Sequence, residues 1–323
     1  MAFPEIFKPY LNQIDHNVAS AIPPNLPASL GDPINYFLKM PGKKIRPLLT
    51  VFSCQAIGGS VEDALPAATA IELFHDFTLI HDDIMDQDEL RRGLTTLHIK
   101  YDDGTAILTG DALIGLAYQQ ILKSPPRQLR AITDIFTEAL VKVCEGQALD
   151  KEFETRSDVS INAYLDMISK KTGWLIKVAC SIGGLCGNGT PAQVALLTEF
   201  GENLGLGFQI QDDLLDFIAD ETKLGKKVGS DFKMDKKTYV ALKCREMIQG
   251  NTALQKIYPL DILKYPSFAD FQKALYDIGV VDAVKQEAEC YLNKALSALE
   301  QLSPLNEKNS LFQITQFLKH RQY

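Results

Sequence analysis

The sequence lacks the features that mark secreted or membrane-spanning proteins. Its six cysteines are scattered, form no CxxC pair and mostly stand in apolar runs, which predicts buried, reduced thiols. The N-terminal stretch MAFPEIFKPY has no basic segment followed by a long apolar one, so no secretory signal is expected. No uninterrupted apolar run reaches the length of a membrane span. Together these absences predict a cytoplasmic protein.

An excess of positive charge is also missing. The formal net charge is -8, which disfavours a nucleic-acid binder or a protein that docks on anionic membranes. Small anionic substrates stay compatible with this charge, because a local basic patch can override the global sign. Hydrophobic residues make up 46% of the chain and charged residues 23%, which is typical of a globular protein and excludes extended disorder.

Strand signals are sparse, and the chain shows no fixed-period repeat, low-complexity segment or clean linker. Most of it has the 3.6-residue periodicity of helices interrupted by Gly, Pro and Asn. We therefore predict an all-α fold with a single domain over residues 1–323. Residues 22–33 are predicted as a proline-rich loop, with Asp32 capping the next helix and Pro33 at its first position. Further helices are predicted near 46–57, 62–87, 105–122, 128–153, 160–182, 191–218, 235–249, 268–278 and 281–302.

Two acidic motifs stand out. DDIMD begins at Asp82 and DDLLD begins at Asp212, 130 residues later, which is too far apart for a local repeat. Because residues four apart share a helix face, Asp82 and Asp86 point one way, as do Asp212 and Asp216. One such cluster alone is often a solvated helix face. Two clusters, both flanked by apolar residues, favour a functional interpretation.

So much like charge requires a cation. Two carboxylates about 4 Å apart repel by roughly 4 kcal/mol at an effective dielectric near 20. Mg²⁺ accepts one or two carboxylates together with waters and substrate phosphates. The pair of motifs therefore predicts Mg²⁺ that bridges a diphosphate between two helices.

Other polar side chains fall on the same helical faces. His75 and Thr78 precede Asp82 by seven and four residues, and Gln209 precedes Asp212 by three. A buried histidine is usually only a core residue. Its position on this stripe leaves both interpretations open.

A diphosphate also needs cations from the protein. Short basic segments lie close to glycines or to the acidic motifs: PGKKIRP, LRRG, KKTG and LGKKVGSDFKMDKKTY. Arginine suits bidentate phosphate binding, whereas lysine acts as a point charge. Each segment alone is typical of a solvated surface.

The motifs LIHDDIMD, LRRG, TGDAL, EGQALD, KKTG, FQIQDDLLD and LGKKVGSDF occur in this order. Over about residues 40–240 the chain resembles the trans-isoprenyl diphosphate synthase, or polyprenyl synthetase, family. The resemblance implies a large helical bundle around a deep central cavity, the isoprenoid synthase type of fold. It also implies head-to-tail condensation of isopentenyl diphosphate with allylic diphosphates (dimethylallyl, geranyl or farnesyl), with Mg²⁺ as cofactor and a homodimeric assembly.

The resemblance also implies roles for individual residues. The metal site would comprise Asp82, Asp83, Asp86, Asp212, Asp213 and Asp216. The isopentenyl diphosphate pocket would comprise Lys43, Arg46, His75 and Arg92. The allylic diphosphate would contact Arg91, Lys171, Lys226 and Lys237. The catalytic residues would be Lys171, Thr172 and Gln209, and the dipoles of Thr172 and Gln209 would stabilise the allylic cation.

In this family, residues four and five before the first aspartate limit product length. Here they are Thr78 and Phe77, without the two-residue insertion that many bacterial farnesyl synthases carry, and this pattern resembles geranylgeranyl diphosphate synthases. On an ideal helix Thr78 lies under Asp82, while Phe77 falls on roughly the opposite side. Either the helix is locally irregular or Phe77 seals the cavity from its flank. Phe74 and Leu113 are alternative wall residues.

The resemblance leaves alternatives open. A farnesyl diphosphate synthase is one, and a longer-chain polyprenyl diphosphate synthase is a weaker one. A terpene cyclase would share the first acidic motif but would not need the isopentenyl diphosphate pocket. A catalytically silent subunit would be expected to lose carboxylates, and all six are present. A purely structural bundle leaves both acidic clusters unexplained.

Overall fold

A computed structural model describes residues 5–218, 229–302, 305 and 309–319 of the chain. In its N-terminal half, a short 3-10 turn at Glu5–Phe7 precedes a series of helices. These are α1 (Lys8–Ser20), α2 (Ala28–Leu38), α3 (Ile45–Ala56), α4 (Val61–Met85), α5 (Leu97–Lys100), α6 (Asp103–Ile121) and α7 (Leu129–Thr155).

The C-terminal half continues in the same way. Its helices are α8 (Ile161–Ile168), α9 (Trp174–Cys186), α10 (Pro191–Ile218), α11 (Ser230–Lys233), α12 (Tyr239–Gln249), α13 (Thr252–Gln255), α14 (Phe268–Ile278), α15 (Val280–Leu302) and α16 (Ser310–Lys319). A π-helix at Ser169–Gly173 joins α8 to α9, and a 3-10 turn occupies Ile262–Lys264. The predicted all-α class is confirmed.

Side-chain caps fix where several helices begin. Ser60 and Asp63 form a capping box at the start of α4, in which each side chain accepts a hydrogen bond from the other residue's backbone N–H. Ser160, Thr238 and Ser267 accept backbone hydrogen bonds at the starts of α8, α12 and α14. The predicted range 160–182 therefore begins correctly, but it is divided by the π-helix rather than being one continuous α-helix.

The predicted start of the second helix was wrong. α2 begins at Ala28, not at Pro33, and the backbone carbonyl of Pro27 accepts hydrogen bonds from Leu30 and Gly31. Asp32 is therefore not the cap, and Pro33 lies buried inside the helix. Because proline has no N–H, this helix lacks the backbone hydrogen bond from position 33 to the carbonyl at position 29.

The helices pack in a layered body around α4 and α10. α4 lies against α3, α6 and α9, whereas α10 lies against α9, α15 and the π-helix. One buried apolar cluster joins the N-terminal helices with α9, and a second joins α8, α12 and α14. α10 and α15 contribute side chains to both clusters. This continuity agrees with one domain over residues 1–323, which remains a prediction.

Strand structure in the described residues is confined to one hairpin, Leu90–Arg91 paired with Leu94–Thr95. Its two turn residues have positive φ angles, 53° at Arg92 and 79° at Gly93. A turn of this kind matches the twist of a tight hairpin. The hairpin directly follows the first acidic motif. Across the described parts of the chain, none of the helices combines the length and apolarity that crossing a membrane requires.

Candidate functional site

The first acidic motif lies at the C-terminal end of α4. Asp82 is half-buried inside the helix, and Asp86 is the residue that ends it. Asp83 points in another direction: its side chain is buried, and one carboxylate oxygen accepts a hydrogen bond from Arg91 Nε at 2.5 Å. The other oxygen of Asp83 is buried with no hydrogen-bond partner. The middle carboxylate of the motif is therefore engaged by the protein.

The second acidic motif lies near the C-terminal end of α10. Asp212 is exposed and Asp216 is half-buried, whereas Asp213 is buried between α8, α10 and α12. All three line a cavity of about 260 Å³. The other residues lining this acidic pocket are Asp150, Tyr164, Met167, Ile168, Lys171, Thr172, Gln209, Asp231, Lys236, Lys237 and Thr238. The predicted Lys171, Thr172, Gln209 and Lys237 are thus brought together.

Lysines link the two acidic motifs. Lys236 lines the acidic pocket beside the second motif, and its Nζ lies 3.9 Å from an oxygen of Asp86 in the first. Lys171 Nζ donates to Asp150 at 2.5 Å and also lies near Asp82 and Asp86. Burial works against the charged form of Lys171, but the carboxylates of Asp150 and Asp82 outweigh it and raise the lysine's pKa.

The carboxylates are held in unfavourable surroundings for negative charge. Burial raises the pKa of Asp82, and nearby Lys171 only partly offsets this. Burial, followed by repulsion from Asp216 and Asp213, raises the pKa of Asp231 to about 7. A cation in the cleft would relieve both effects.

Lys171 owes its position to the π-helix. A Cβ atom at Gly146 of α7 would lie 2.2 Å from the backbone nitrogen of Lys171, so only glycine permits this approach. The widened turn at Ser169–Gly173 brings Lys171 and Thr172 into the acidic pocket. Lys237 reaches the same pocket but donates to Asp235 at 2.5 Å.

A second cavity, of about 550 Å³, is basic. Its lining contains all four residues predicted to bind isopentenyl diphosphate: Lys43, Arg46, His75 and Arg92. The remaining lining residues are Pro41, Gly42, Lys44, Ile45, Glu72, Phe208 and Leu318. The hairpin turn separates its two arginines, because Arg91 pairs with Asp83 while Arg92 joins the basic pocket.

Arg46 and His75 form a pair in this pocket. Arg46 Nη1 lies 3.1 Å from His75 Nε2. Burial and the neighbouring cations, Arg46 foremost, hold the pKa of His75 well below its usual value, so the ring is neutral and accepts from Arg46. Burial also lowers the pKa of Arg46 to about 10, which leaves it charged at neutral pH. The Nε of Arg46 is buried without a hydrogen-bond partner, as expected of a site built for an anion.

Two buried carboxylates lie beside the basic pocket, and sequence analysis missed both. Glu72 accepts from Lys44 Nζ at 3.1 Å, and Asp76 lies one turn further along α4. Burial works against the charge on Lys44, but Glu72 and Asp76 outweigh it and raise the lysine's pKa. The four-residue spacing of Glu72 and Asp76 on an apolar helix was the available signal.

Asp150, Tyr164, Asp231 and Lys236 were also absent from the predicted site residues. They come from three parts of the chain, α7, α8 and the segment from Asp231 to Lys236, which tertiary packing brings to the acidic pocket. Asp150 ends the EGQALD motif and Asp231 follows LGKKVGS, so their place in these motifs was the only signal. The predicted Lys226 lies outside the described residues.

The structure shows where the Phe77 side chain lies. α4 is a regular α-helix through Met85, and the Phe77 ring packs edge-to-face on His81 with centroids 4.7 Å apart. His81 in turn contacts α6 through the carbonyl of Ile107 at 3.3 Å. Phe77 therefore points towards α6, and it is not part of the described lining of either pocket. Phe74 is fully buried and contacts Phe77 and Phe136 of α7.

Mg²⁺ fits the donor set of the cleft. Asp82, Asp86, Asp212 and Asp216 provide oxygen donors from two helices, which is the ligand chemistry that Mg²⁺ prefers. Among the described residues, no three His, Cys, Asp or Glu side chains form a ready-made cage for an ion. Such an arrangement is expected when waters and substrate phosphates complete the coordination.

Comparison with known proteins identifies the family. The family model for polyprenyl synthetases matches residues 27–264, well over half of the chain. The chain belongs to the polyprenyl synthetase family. This confirms the resemblance seen in the sequence motifs.

Relatives of this polyprenyl synthetase match it over nearly the whole chain. The geranylgeranyl diphosphate synthase of Methanosarcina mazei is 36% identical over 97% of this chain and 96% of its own. The geranylfarnesyl diphosphate synthase of Natronomonas pharaonis is 35% identical over 96% and 95%. The crystal structure of geranylgeranyl pyrophosphate synthetase from Pyrococcus horikoshii is 35% identical, with a TM-score of 0.86 over 98% of this chain and 97% of that one.

Proposed function

We propose that this protein is a Mg²⁺-dependent prenyltransferase that condenses isopentenyl diphosphate with allylic diphosphates and releases mainly geranylgeranyl diphosphate. One observation carries the proposal: an acidic and a basic pocket meet at neighbouring residues of α10. Gln209 lines the acidic pocket and Phe208 lines the basic pocket. The reaction uses two diphosphate substrates, and only the allylic one loses its diphosphate. Two pockets of opposite charge suit these two different tasks.

The basic pocket would hold isopentenyl diphosphate. Lys43, Arg46 and Arg92 supply positive charge for the oxygens of its diphosphate. Neutral His75 accepts from Arg46 and thereby holds the guanidinium in the pocket wall. Neither acidic motif contributes to the described lining of this pocket, which suits a substrate whose diphosphate stays attached.

The acidic pocket and the neighbouring first acidic motif would together hold the allylic diphosphate. Asp82, Asp86, Asp212 and Asp216 would ligate Mg²⁺, while Asp83 and Asp213 would support the site through their contacts with the protein. When bound, Mg²⁺ would screen charge on the departing diphosphate. Lys171 and Lys237 would add positive charge from the pocket wall, and the motif pattern adds Arg91 and Lys226 to this set.

The reaction follows from this arrangement. The C1–O bond of the allylic substrate breaks, and its electron pair leaves with the diphosphate, whose charge the lysines stabilise. The π electrons of isopentenyl diphosphate form the new bond to C1. A proton then leaves C2 of the isopentenyl unit to form a double bond, and the released diphosphate accepts it. Oxygen dipoles of Thr172 and Gln209 would stabilise the transient allylic cation.

Phe77 and Thr78 would set the product length. The Phe77 ring packs between His81 and Phe74 on the α6 side of α4, and it would limit the growing chain from that side. Geranylgeranyl diphosphate is the favoured product, because it is the product named for several full-length relatives. Geranylfarnesyl diphosphate is the second candidate, favoured by the Natronomonas pharaonis relative.

We also propose a homodimer in the cytoplasm. α6 carries exposed Ile107 and Leu108, the latter 63% exposed, and a second copy of the chain would cover them. All six cysteines are unpaired, which suits a reducing compartment. Light scattering should give twice the chain mass of 35.9 kDa, and Leu108→Asp should shift it towards the monomer. A monomeric wild-type protein would contradict the dimer.

Product analysis tests the proposed function. The purified protein is incubated with Mg²⁺, labelled isopentenyl diphosphate and dimethylallyl, geranyl or farnesyl diphosphate in turn. We expect incorporation of label with at least one primer and a main product of twenty carbons. A cyclic hydrocarbon made without isopentenyl diphosphate would indicate a terpene cyclase, and no product with any primer would contradict the proposal.

A further inference from the structure

Both oxygens of the Asp213 carboxylate accept hydrogen bonds from the protein. Its side chain is only 5% exposed. One oxygen accepts from Gln209 Nε2 at 2.9 Å, and the other accepts from Tyr164 Oη at 2.5 Å and from the backbone N–H of Tyr239 at 3.1 Å. Three helices, α8, α10 and α12, therefore meet at this carboxylate. All three donors are uncharged.

This contact decides which way the Gln209 amide faces. An ionised carboxylate can only accept hydrogen bonds, so the NH₂ end of Gln209 must face Asp213. The carbonyl oxygen is then the end of the amide available to the acidic pocket, which Gln209 lines together with Lys171 and Thr172. The direction of this dipole matters, because a carbonyl oxygen stabilises a nearby cation and an NH₂ group repels it.

We propose that Asp213 and Tyr164 are positioning residues that fix the Gln209 amide with its carbonyl oxygen turned towards the reacting carbon of the allylic substrate. Tyr164 and the Tyr239 N–H occupy one oxygen of Asp213, which directs the other oxygen to Gln209. This inference rests on the proposed prenyltransferase function, because it needs an allylic cation in the acidic pocket.

An asparagine at position 213 would reverse the arrangement. Its single oxygen would accept from Tyr164 and Tyr239, so its NH₂ group would face Gln209. Gln209 would then turn its carbonyl oxygen towards the new amide and its NH₂ group towards the pocket. Asp213→Asn therefore preserves the packing and inverts the dipole, which makes it a sharper test than a truncation.

The test compares two unreactive analogues of the allylic substrate by calorimetry, both with Mg²⁺ present. One is an ammonium analogue offered with inorganic diphosphate, so that it carries positive charge near the cation position. The other is the thio-analogue, with sulfur in place of the bridging oxygen, which keeps its diphosphate and carries no positive charge on its prenyl carbons. Asp213→Asn should weaken the ammonium analogue about 10-fold or more, as expected for a hydrogen-bonding group beside a charge. The thio-analogue should change less than about 2-fold, because it carries no cation.

Two further variants separate positioning from a structural role. Tyr164→Phe should shift the ratio of the two affinities in the same direction by a smaller factor. In a Gln209→Ala background, Asp213→Asn should have no further effect on that ratio, because Asp213 acts through Gln209. Turnover should follow the same pattern, with kcat lowered and the KM for isopentenyl diphosphate unchanged.

Equal weakening of both analogues, or an unchanged ratio in Asp213→Asn and Tyr164→Phe, would overturn the inference. Additive effects of Gln209→Ala and Asp213→Asn would do the same. Failure of the proposed function gives a different result, because the wild-type protein would then form no prenyl product. If Asp213→Asn does not fold, as judged by thermal unfolding, the ratio measured for Tyr164→Phe decides the question.

Discussion

The two acidic motifs have the same pattern of aspartates but different surroundings. In each motif the first and third aspartates are at least partly exposed, and the second, which is called the middle residue below, is buried. On α4 the middle residue, Asp83, faces the cation Arg91, and one of its oxygens has no partner. On α10 the middle residue, Asp213, faces three neutral donors, and both of its oxygens accept hydrogen bonds. The same motif thus has different hydrogen-bond partners at its two positions in the chain.

The two helices also differ in the residues that precede the acidic motifs. Seven and five residues before the first aspartate, α4 carries His75 and Phe77, whereas α10 carries Gly205 and Gly207. A Cβ atom at Gly205 would lie 2.8 Å from the backbone of Gly173, and one at Gly207 would lie 2.9 Å from Leu292. α10 therefore has no side chain at the two positions where the π-helix and α15 pack closely against it. α4 instead carries His75, which lines the basic pocket, and Phe77, which packs on His81.

The largest effect should come from removing an outer carboxylate. Asp82→Ala should lower kcat with Mg²⁺ by at least ~10³-fold, because charge on the departing diphosphate would lose part of its metal-based stabilisation. The measurement is steady-state turnover over a range of Mg²⁺ concentrations. Asp282→Ala, which removes an exposed carboxylate on α15, is the matched control and should retain normal turnover. Near-normal activity of Asp82→Ala would contradict the metal site.

The need for glycine on α10 can be tested by measuring the free energy of unfolding. Gly205→Ala should destabilise the fold by about 1–3 kcal/mol, because the new methyl group meets backbone atoms that cannot move aside. Gly115→Ala on α6 is the control, since nothing lies within 4 Å of its Cβ position. Denaturant unfolding of both variants measures the difference. Equal stabilities would mean that α10 tolerates side chains where α4 carries them.

Product length sharpens the comparison between the two helices. Phe77→Ala should lengthen the main product by at least one isoprene unit, since loss of the ring opens the flank of the cavity. Phe208→Ala, an aromatic change four residues before the second motif, should leave product length unchanged, because Phe208 lines the basic pocket. Chromatographic sizing of the products measures both. An unchanged distribution in Phe77→Ala would remove Phe77 as the limit on length.

The smallest effect concerns pH. His75 has a lowered pKa, so the folded protein binds fewer protons than the unfolded chain below about pH 6.5, and stability falls as the pH falls. Relative to His75→Gln, the wild-type protein should lose about 1 kcal/mol of unfolding free energy between about pH 7 and 5.5. Parallel denaturation curves at these pH values measure it. A pH-independent difference between the two proteins would show that His75 is not held neutral.

Much of the fold could be predicted from the sequence, because helix periodicity and helix breakers are local signals. The predicted ranges 191–218 and 268–278 agree with the observed helices. The start of α2 was wrong because Pro33 at a first helical turn is a general preference, which the contacts of α2 override. The π-helix has no signal of its own, since it depends on the approach of Gly146 to Lys171.

The site was predictable to a similar degree. The alternative of a locally irregular helix at Phe77 is removed, because α4 is an α-helix from Val61 to Met85. Spacing alone could not show that Asp213 is enclosed by Tyr164 and Tyr239, because those contacts span 49 and 26 residues. Nor could it show that Lys236 reaches the first motif. Long-range contacts of this kind decide which carboxylates face the cleft.

In the proposed mechanism both acidic motifs hold one diphosphate through their outer aspartates. Calorimetry with the unreactive thio-analogue of the allylic substrate, with and without Mg²⁺, tests it most directly. Asp82→Ala and Asp212→Ala should each abolish Mg²⁺-dependent binding, whereas Asp213→Asn should retain it. Metal-dependent binding of wild-type strength in either alanine variant would contradict the claim.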